Sequence, residues 1–206
     1  MTPMEQFKRE CTAFFDELNA AEQRPLVFGE GPADHPVLML IGEAPGEQEA
    51  LQGRPFVGKA GKNLDAFLET LGLKREEIYL SNVVKVRPSK LSPAGRVVNR
   101  PPSKEEKALF LPWLMREIAI VRPDAIVTLG NVALQAFIDD VVGNRHGRWS
   151  QAVIHATPEP AFTLPLFALY HPASILYNGS LKSTYANDLQ TLAHTLSVRT
   201  SGENDI

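Results

Sequence analysis

Glu43 and Glu47 bracket a tight glycine–proline turn, Gly42-Glu43-Ala44-Pro45-Gly46-Glu47, placed directly after an apolar run. A turn of this kind exposes backbone N–H groups that can hold a carbonyl oxygen or an anion, here with two carboxylates beside it. Its plainer reading is a structural turn with surface glutamates. Asn82 falls within the end of a second apolar run, Gly130-Asn131 follow a third, and His171-Pro172 follow a fourth. Between Lys85 and Lys107 the cations Lys85, Arg87, Lys90, Arg96, Arg100, Lys104 and Lys107 are opposed only by Glu105 and Glu106. Such a patch can bind phosphates although the formal net charge is −3, because local charge rather than the total meets a polyanion. An ordinary solvated loop is the alternative.

One motif is a decoy. Gly53-Arg54-Pro55-Phe56-Val57-Gly58-Lys59-Ala60 nearly spells a phosphate-binding loop. Ala60 stands where the magnesium-binding hydroxyl belongs, and no apolar strand leads directly into the segment, so an NTPase is rejected. Cys11 is the only cysteine. It can form no intramolecular disulfide and cannot by itself supply a four-cysteine metal or cluster site.

The elements that must position these residues follow from periodicity. Four apolar runs, Val37–Gly42, Ile78–Val84, Ala125–Gly130 and Leu166–Tyr170, read as strands. Helices are expected over residues 4–20, with Phe7, Cys11, Phe14, Phe15 and Leu18 on one stripe, and over 62–71, 132–138 and 182–196. A capping box, Ser103 with Glu106, opens another helix that reaches Ile120 despite Pro112. Alternating strands and helices predict a three-layer α/β/α fold with a mainly parallel, four-stranded central sheet. The 206 residues, 44% hydrophobic and 22% charged, suit a single domain over 1–206. Residues 1–25 form its N-terminal helical part, and 199–206 are expected to fray. Residues 88–102 read as one long polar loop, the kind that is usually functional or disordered. No apolar run approaches the roughly 20 residues that span a bilayer, and the first residues do not read as a secretory signal. The expected compartment is the cytoplasm. In parallel sheets ligands bind beyond the carboxyl ends of the strands, which would gather Glu43, Asn82, Asn131 and His171 at one edge.

The blocks GEAPGEQEALQGRPFVGKAG, YLSNVVKVRP, NRPPSKEE, PDAIVTLGNVA and YHPASIL, in this order and spacing, resemble the family 4 uracil-DNA glycosylases from about Val27 to Leu192. The resemblance implies an enzyme of base excision repair that flips deoxyuridine out of DNA and hydrolyses its N-glycosidic bond, leaving an abasic site. It implies that Asn82 reads the uracil edge, donating to O4 and accepting from N3–H, and that Phe56 stacks on the base. His171 would stabilise negative charge growing on uracil O2, with Glu43 orienting water or stabilising the cationic sugar and Glu47 as the second carboxylate candidate. Backbone N–H groups around Ala44 and Gly46 would add contacts to uracil. Pro172, Ala173 and Ser174 would begin the loop that enters DNA, Ser174 binding a phosphate, while Lys85, Arg87, Arg96 and Arg100 approach the backbone. Arg145 could touch DNA or belong to a plain surface turn. The expected partner is uracil-containing DNA, single- or double-stranded, met by a monomer.

The sequence departs from the family at the cysteines that hold an iron–sulfur cluster. Val86 stands at the third position, Leu109, Phe110 and Leu111 lie near the fourth, and the N-terminal pair is absent apart from Cys11. The expectation is therefore no metal and no cofactor, with apolar packing in place of the cluster. A related branch traps uracil covalently through a histidine in a basic insertion; here Gly95–Arg100 contain none, so hydrolysis by water is expected. The alternatives are a non-catalytic binder of uracil-containing or damaged DNA, and a glycosylase for another deaminated base.

Overall fold

The computed structural model describes residues 1–18, 24–158 and 160–200. Its strands are β1 (Leu38–Gly42), β2 (Ile78–Asn82), β3 (Ser89–Leu91), β4 (Val97–Asn99), β5 (Ile126–Leu129), β6 (Trp149–Ile154) and β7 (Phe162–Leu169). The helices are α1 (Pro3–Leu18), α2 (Glu47–Gln52), α3 (Lys59–Leu71), α4 (Lys104–Val121), α5 (Asn131–Leu134), α6 (Val142–Arg145), α7 (Pro172–Tyr177) and α8 (Lys182–Thr200). The main sheet has the order β2-β1-β5-β7-β6, parallel except for the β6–β7 pair.

The alternation of side chains along each strand sorts the core into two halves. Met39 and Ile41 pack with Tyr79, Ile126 and Ala168 under α1 and α4, where Phe15, Phe110, Leu114 and Ile118 meet them. Leu38 and Leu40 pack with Ile78, Val127 and Phe167 on the other face, against Leu64, Phe67 and Leu68 of α3 and Leu189, Leu192 and Leu196 of α8. This is the expected α/β/α arrangement, with one more strand than expected. Trp149-Ser-Gln-Ala-Val-Ile154 lies at the sheet edge, half-buried at its first two positions and alternating exposed and buried from Gln151 to Ile154, so it lacks the continuous apolar run by which a buried strand announces itself.

Two other expectations change. Residues 88–102 are not a structureless loop: β3 and β4 form an antiparallel hairpin inside them. The helix expected over 132–138 is a single short turn, α5. The ends of the expected first helix (19–20) and of the frayed tail (201–206) lie outside the described residues; α8 includes residues 199 and 200. Among the described residues, no helix is long and apolar enough to cross a membrane.

The positions where the resemblance would place cluster cysteines do not fit that group. Val86 and Phe110 are buried in the core, and Phe110 stacks on Phe15 of α1 with centroids 4.3 Å apart and planes 8° from parallel. Cys11 is buried among them, and desolvation pushes its thiol up to about 12, away from the thiolate a metal needs.

Candidate active site

A cleft of about 400 Å³ opens beyond the carboxyl ends of β1, β2 and β7, lined by Ala44, Gly46, Glu47, Gln48, Glu49, Phe56, Gly58, Asn82, Asn99 and His171. It lies beside the point where the strand order turns, with β1 flanked by β2 on one side and β5 on the other, as open α/β sheets favour. A hollow of about 510 Å³ elsewhere, between Glu30, Arg54 and Arg75, aims no comparable polar group at a ligand. There Glu30 and Arg54 neutralise each other, and Arg75 is engaged with Asp65 and two backbone carbonyls.

Asn82 closes β2 and is 5% exposed. Its backbone is held by the register with Gly42, by Val83 N–H donating to Gly42 O at 2.9 Å, and by Lys85 Nζ donating to its own carbonyl at 2.8 Å. Among the described residues its side-chain amide has no hydrogen-bond partner, leaving both a donor and an acceptor for a ligand. Phe56 is buried with φ +53°, a left-handed conformation that costs a bulky residue about 1–3 kcal/mol. Arg75 Nη2 steadies it, donating to Phe56 O at 2.8 Å and to Gly61 O at 3.2 Å. Gly61 is required there, since a Cβ would lie 1.8 Å from Phe56 O. Gly42 serves the same corner, for its missing side chain leaves room for Asn82 Oδ1 and the Phe56 ring.

His171 caps α7, its Nδ1 accepting from Ala173 N–H at 3.1 Å. With Nδ1 accepting, the proton of the neutral ring sits on Nε2. Burial lowers its pKa below the ordinary 6.5, so near neutral pH the ring is an uncharged Nε2–H donor.

The carboxylates divide. Glu47 lines the cleft mouth, its side chain 56% exposed and paired with Arg87 at 3.2 Å. Glu49, which sequence reasoning passed over, is 8% exposed and stitches two loops, accepting from Gly46 N–H at 3.1 Å and Gly58 N–H at 2.7 Å. Its signal was the spacing, three residues beyond the glycine that opens α2. The Gly46 N–H is therefore engaged by Glu49, which corrects the expectation that it contacts a base. Glu43 is half-buried and is not among the lining residues, although its neighbour Ala44 is. Burial raises its carboxyl above the ordinary range, with Lys107 pulling the other way. Asn99 was also missed; it enters the cleft from the end of β4, its Oδ1 accepting from Arg87 Nε at 2.7 Å.

Several expected DNA contacts move. Lys85 is 0% exposed, donating to Glu117 Oε2 at 2.5 Å and Ser81 Oγ at 2.6 Å. Tyr79 OH also donates to Glu117. A fully buried ammonium cannot meet phosphate, so Lys85 is a brace for β2 and not a DNA contact. Arg100 is tied to Glu106 at 2.6 and 2.7 Å, Arg145 to Asp140 at 2.6 Å, and Arg87 to Glu47 and Asn99. Arg96 is exposed in the hairpin turn, and Ser174 is half-buried in the first turn of α7.

A family model described as the uracil DNA glycosylase superfamily matches residues 28–192. The chain is 35% identical over 157 residues to the type-4 uracil-DNA glycosylase of Archaeoglobus fulgidus, covering 75% of this chain and 74% of that protein. It is 34% identical over 176 residues to the type-4 uracil-DNA glycosylase of Saccharolobus solfataricus, covering 82% and 75%. The crystal structure of wild-type Pedobacter heparinus SMUG2 superposes with a TM-score of 0.53 at 15% identity, covering 82% of this chain and 77% of that one, a likeness of fold alone.

Proposed function

The chain belongs to the uracil DNA glycosylase superfamily, and from that premise we propose that it is a monofunctional glycosylase that hydrolyses uracil from DNA and leaves an abasic site. The observation that carries this reading is the convergence of Asn82, Phe56 and His171, from three separate segments, on one cleft.

In this mechanism the deoxyuridine leaves the base stack and enters the cleft. The uracil ring lies against Phe56. The Asn82 amide donates to O4 and accepts from N3–H, whereas cytosine, with the opposite pattern, leaves both partners unmatched. As the N-glycosidic bond lengthens, negative charge grows on O2, and His171 Nε2–H donates to it. One donor of this kind supplies roughly 3–4 kcal/mol of transition-state stabilisation. Glu43 orients the attacking water or stabilises the cationic sugar; its place one peptide link from the cleft wall supports either role, and its raised pKa favours the first. Glu47 remains exposed at the mouth. No step uses a metal, consistent with the poor fit of the Cys11, Val86 and Phe110 region to a cluster. Purified protein should carry no stoichiometric iron; about four iron atoms per chain would overturn that part.

The test is cleavage of oligonucleotides carrying one deoxyuridine by wild type, Asn82→Ala and Glu43→Gln, read by alkaline scission of the abasic product. Wild-type cleavage that falls at least about tenfold in both variants, roughly 1.4 kcal/mol, supports the reading. Absence of cleavage by folded wild type would sink it.

A further inference from the structure

The hairpin of β3 and β4 pairs Ser89 with Asn99, Lys90 with Val98, and Leu91 with Val97. Alternation along a strand places Ser89, Leu91, Val97 and Asn99 on one face. That face begins in the cleft with Asn99 and continues outward. Two residues further on, about 7 Å along the strand, it presents Leu91 and Val97 side by side, 70% and 52% exposed. Directly opposed residues of an antiparallel pair stand about 5 Å apart at Cβ, so the two form one apolar edge that nothing in the chain covers among the described residues.

The hairpin is also firmly held. Its turn is closed by Ser92 N–H to Arg96 O at 2.8 Å, Gly95 N–H to Ser92 O at 2.9 Å and Arg96 N–H to Ser92 Oγ at 3.1 Å. At its base Arg100 N–H donates to Pro88 O at 3.1 Å and Arg100 Nε to Ser89 O at 3.1 Å, while the same guanidinium is clamped on Glu106. Lys90 and Arg96 are each one residue from the apolar pair in sequence, Lys90 by the same alternation on the hairpin's other face, and both are exposed and without an ion pair among the described residues. A rigid arm that starts at the cleft, carries an apolar edge on one face and exposed cations next to it in sequence has the chemistry of a wedge for double-stranded nucleic acid. Such wedges set apolar side chains against base steps while cations meet the neighbouring phosphates.

We propose that the β3–β4 hairpin is a duplex-reading arm, with Leu91 and Val97 packing against the bases beside the vacated position and Lys90 and Arg96 meeting the flanking phosphates. The proposal rests on the reading that the cleft takes a flipped base. A lone strand offers no opposite strand and no ordered stack to pack against, so the arm acts on duplex alone.

The test variant is L91T/V97T, which keeps residues suited to a strand and removes the apolar edge. Binding is measured to oligonucleotides with a tetrahydrofuran abasic analogue, single-stranded and in duplex, with 2-aminopurine opposite the site reporting unstacking. The expected result is duplex binding weakened at least tenfold with loss of the 2-aminopurine signal, single-strand binding within twofold, and an unchanged melting temperature. Equal weakening on both forms, or none on duplex, overturns the proposal. So does a wild-type dimer in sedimentation that the variant loses while its preference for duplex is unchanged, since the edge then belongs to a second copy. Because these readouts do not involve bond cleavage, failure to cleave single-stranded uracil would count against the glycosylase reading separately.

Discussion

Replacing Gly42 by alanine should cripple the site and spare the sheet. Gly42 ends β1 with no positive φ, so its backbone accepts an L residue and only space opposes one. A Cβ there would stand 2.5 Å from Asn82 Oδ1 and 2.8 Å from Phe56 Cζ, where ordinary contact begins at 3.4 Å. The amide must retreat by about 0.9 Å and the ring by about 0.6 Å, and both are groups assigned to the base. Misplacement on the order of 1 Å can cost about 100-fold in rate, equivalent to about 2.7 kcal/mol. Overpacking costs about 1–3 kcal/mol of stability, partly offset by about 0.4–1 kcal/mol from stiffening the unfolded chain. The fold should therefore survive with a melting temperature a few degrees lower, at roughly 2–4 °C per kcal/mol. The assay is kcat/KM on single-deoxyuridine oligonucleotides beside thermal denaturation. Added to Asn82→Ala, the same change should cost far less than 100-fold, because its main target is already gone. A folded Gly42→Ala enzyme with kcat/KM within about threefold of wild type would refute the reasoning.

Glu43, if it must be ionised, sets an acid limb of kcat/KM above its ordinary 4.5, and Lys107→Met should move that limb higher, because Lys107 lowers this pKa; a limb that stays in place would separate Glu43 from the rate. The same shift has a sign in stability: the folded state holds this proton more tightly than the unfolded chain, so stability is lost as pH rises through the folded pKa. Glu43→Gln should accordingly raise the melting temperature at pH 7 and leave it nearly unchanged at pH 4, as differential calorimetry would read. Arg75→Met releases the carbonyls of Phe56 and Gly61 and should raise KM more than it lowers kcat, with partial rescue in Arg75→Lys; steady-state kinetics that match wild type would detach Phe56 from its tie. Lys85→Met leaves Glu117 buried and uncompensated, a loss of about 3–5 kcal/mol in urea denaturation. A stable Lys85→Met protein with weakened DNA binding would instead return Lys85 to the interface.

The parts of this molecule that were legible in its sequence are those governed by local pattern. Runs such as Val37–Gly42 and Ile78–Val84 are almost wholly buried and read directly as parallel strands, and the ends of those strands located the cleft. Ser103 and Glu106 were readable as a capping box because both hydrogen bonds are local, and the structure shows both. What escaped depends on partners distant in sequence. Lys85 looks like a member of a basic loop until Glu117 arrives from 32 residues away. Edge strand β6 has its apolar residues interrupted by Ser150 and Gln151 and so shows no continuous run, and the β3–β4 hairpin hides behind Pro93 and Gly95, which mark only its turn. Glu49 was overshadowed by Glu43 and Glu47: its bond to the Gly46 amide is local, but its second partner, the Gly58 amide, lies nine residues on, beyond α2.

The stack of Phe15 on Phe110 also bears on how the protein is made. A tie between α1 and α4 built from two rings is complete once the chain has folded. It waits for no delivery of metal or sulfide and passes through no half-loaded form that oxygen could spoil. This contact asks only for translation and folding, so a host without cluster-assembly machinery should still join α1 to α4.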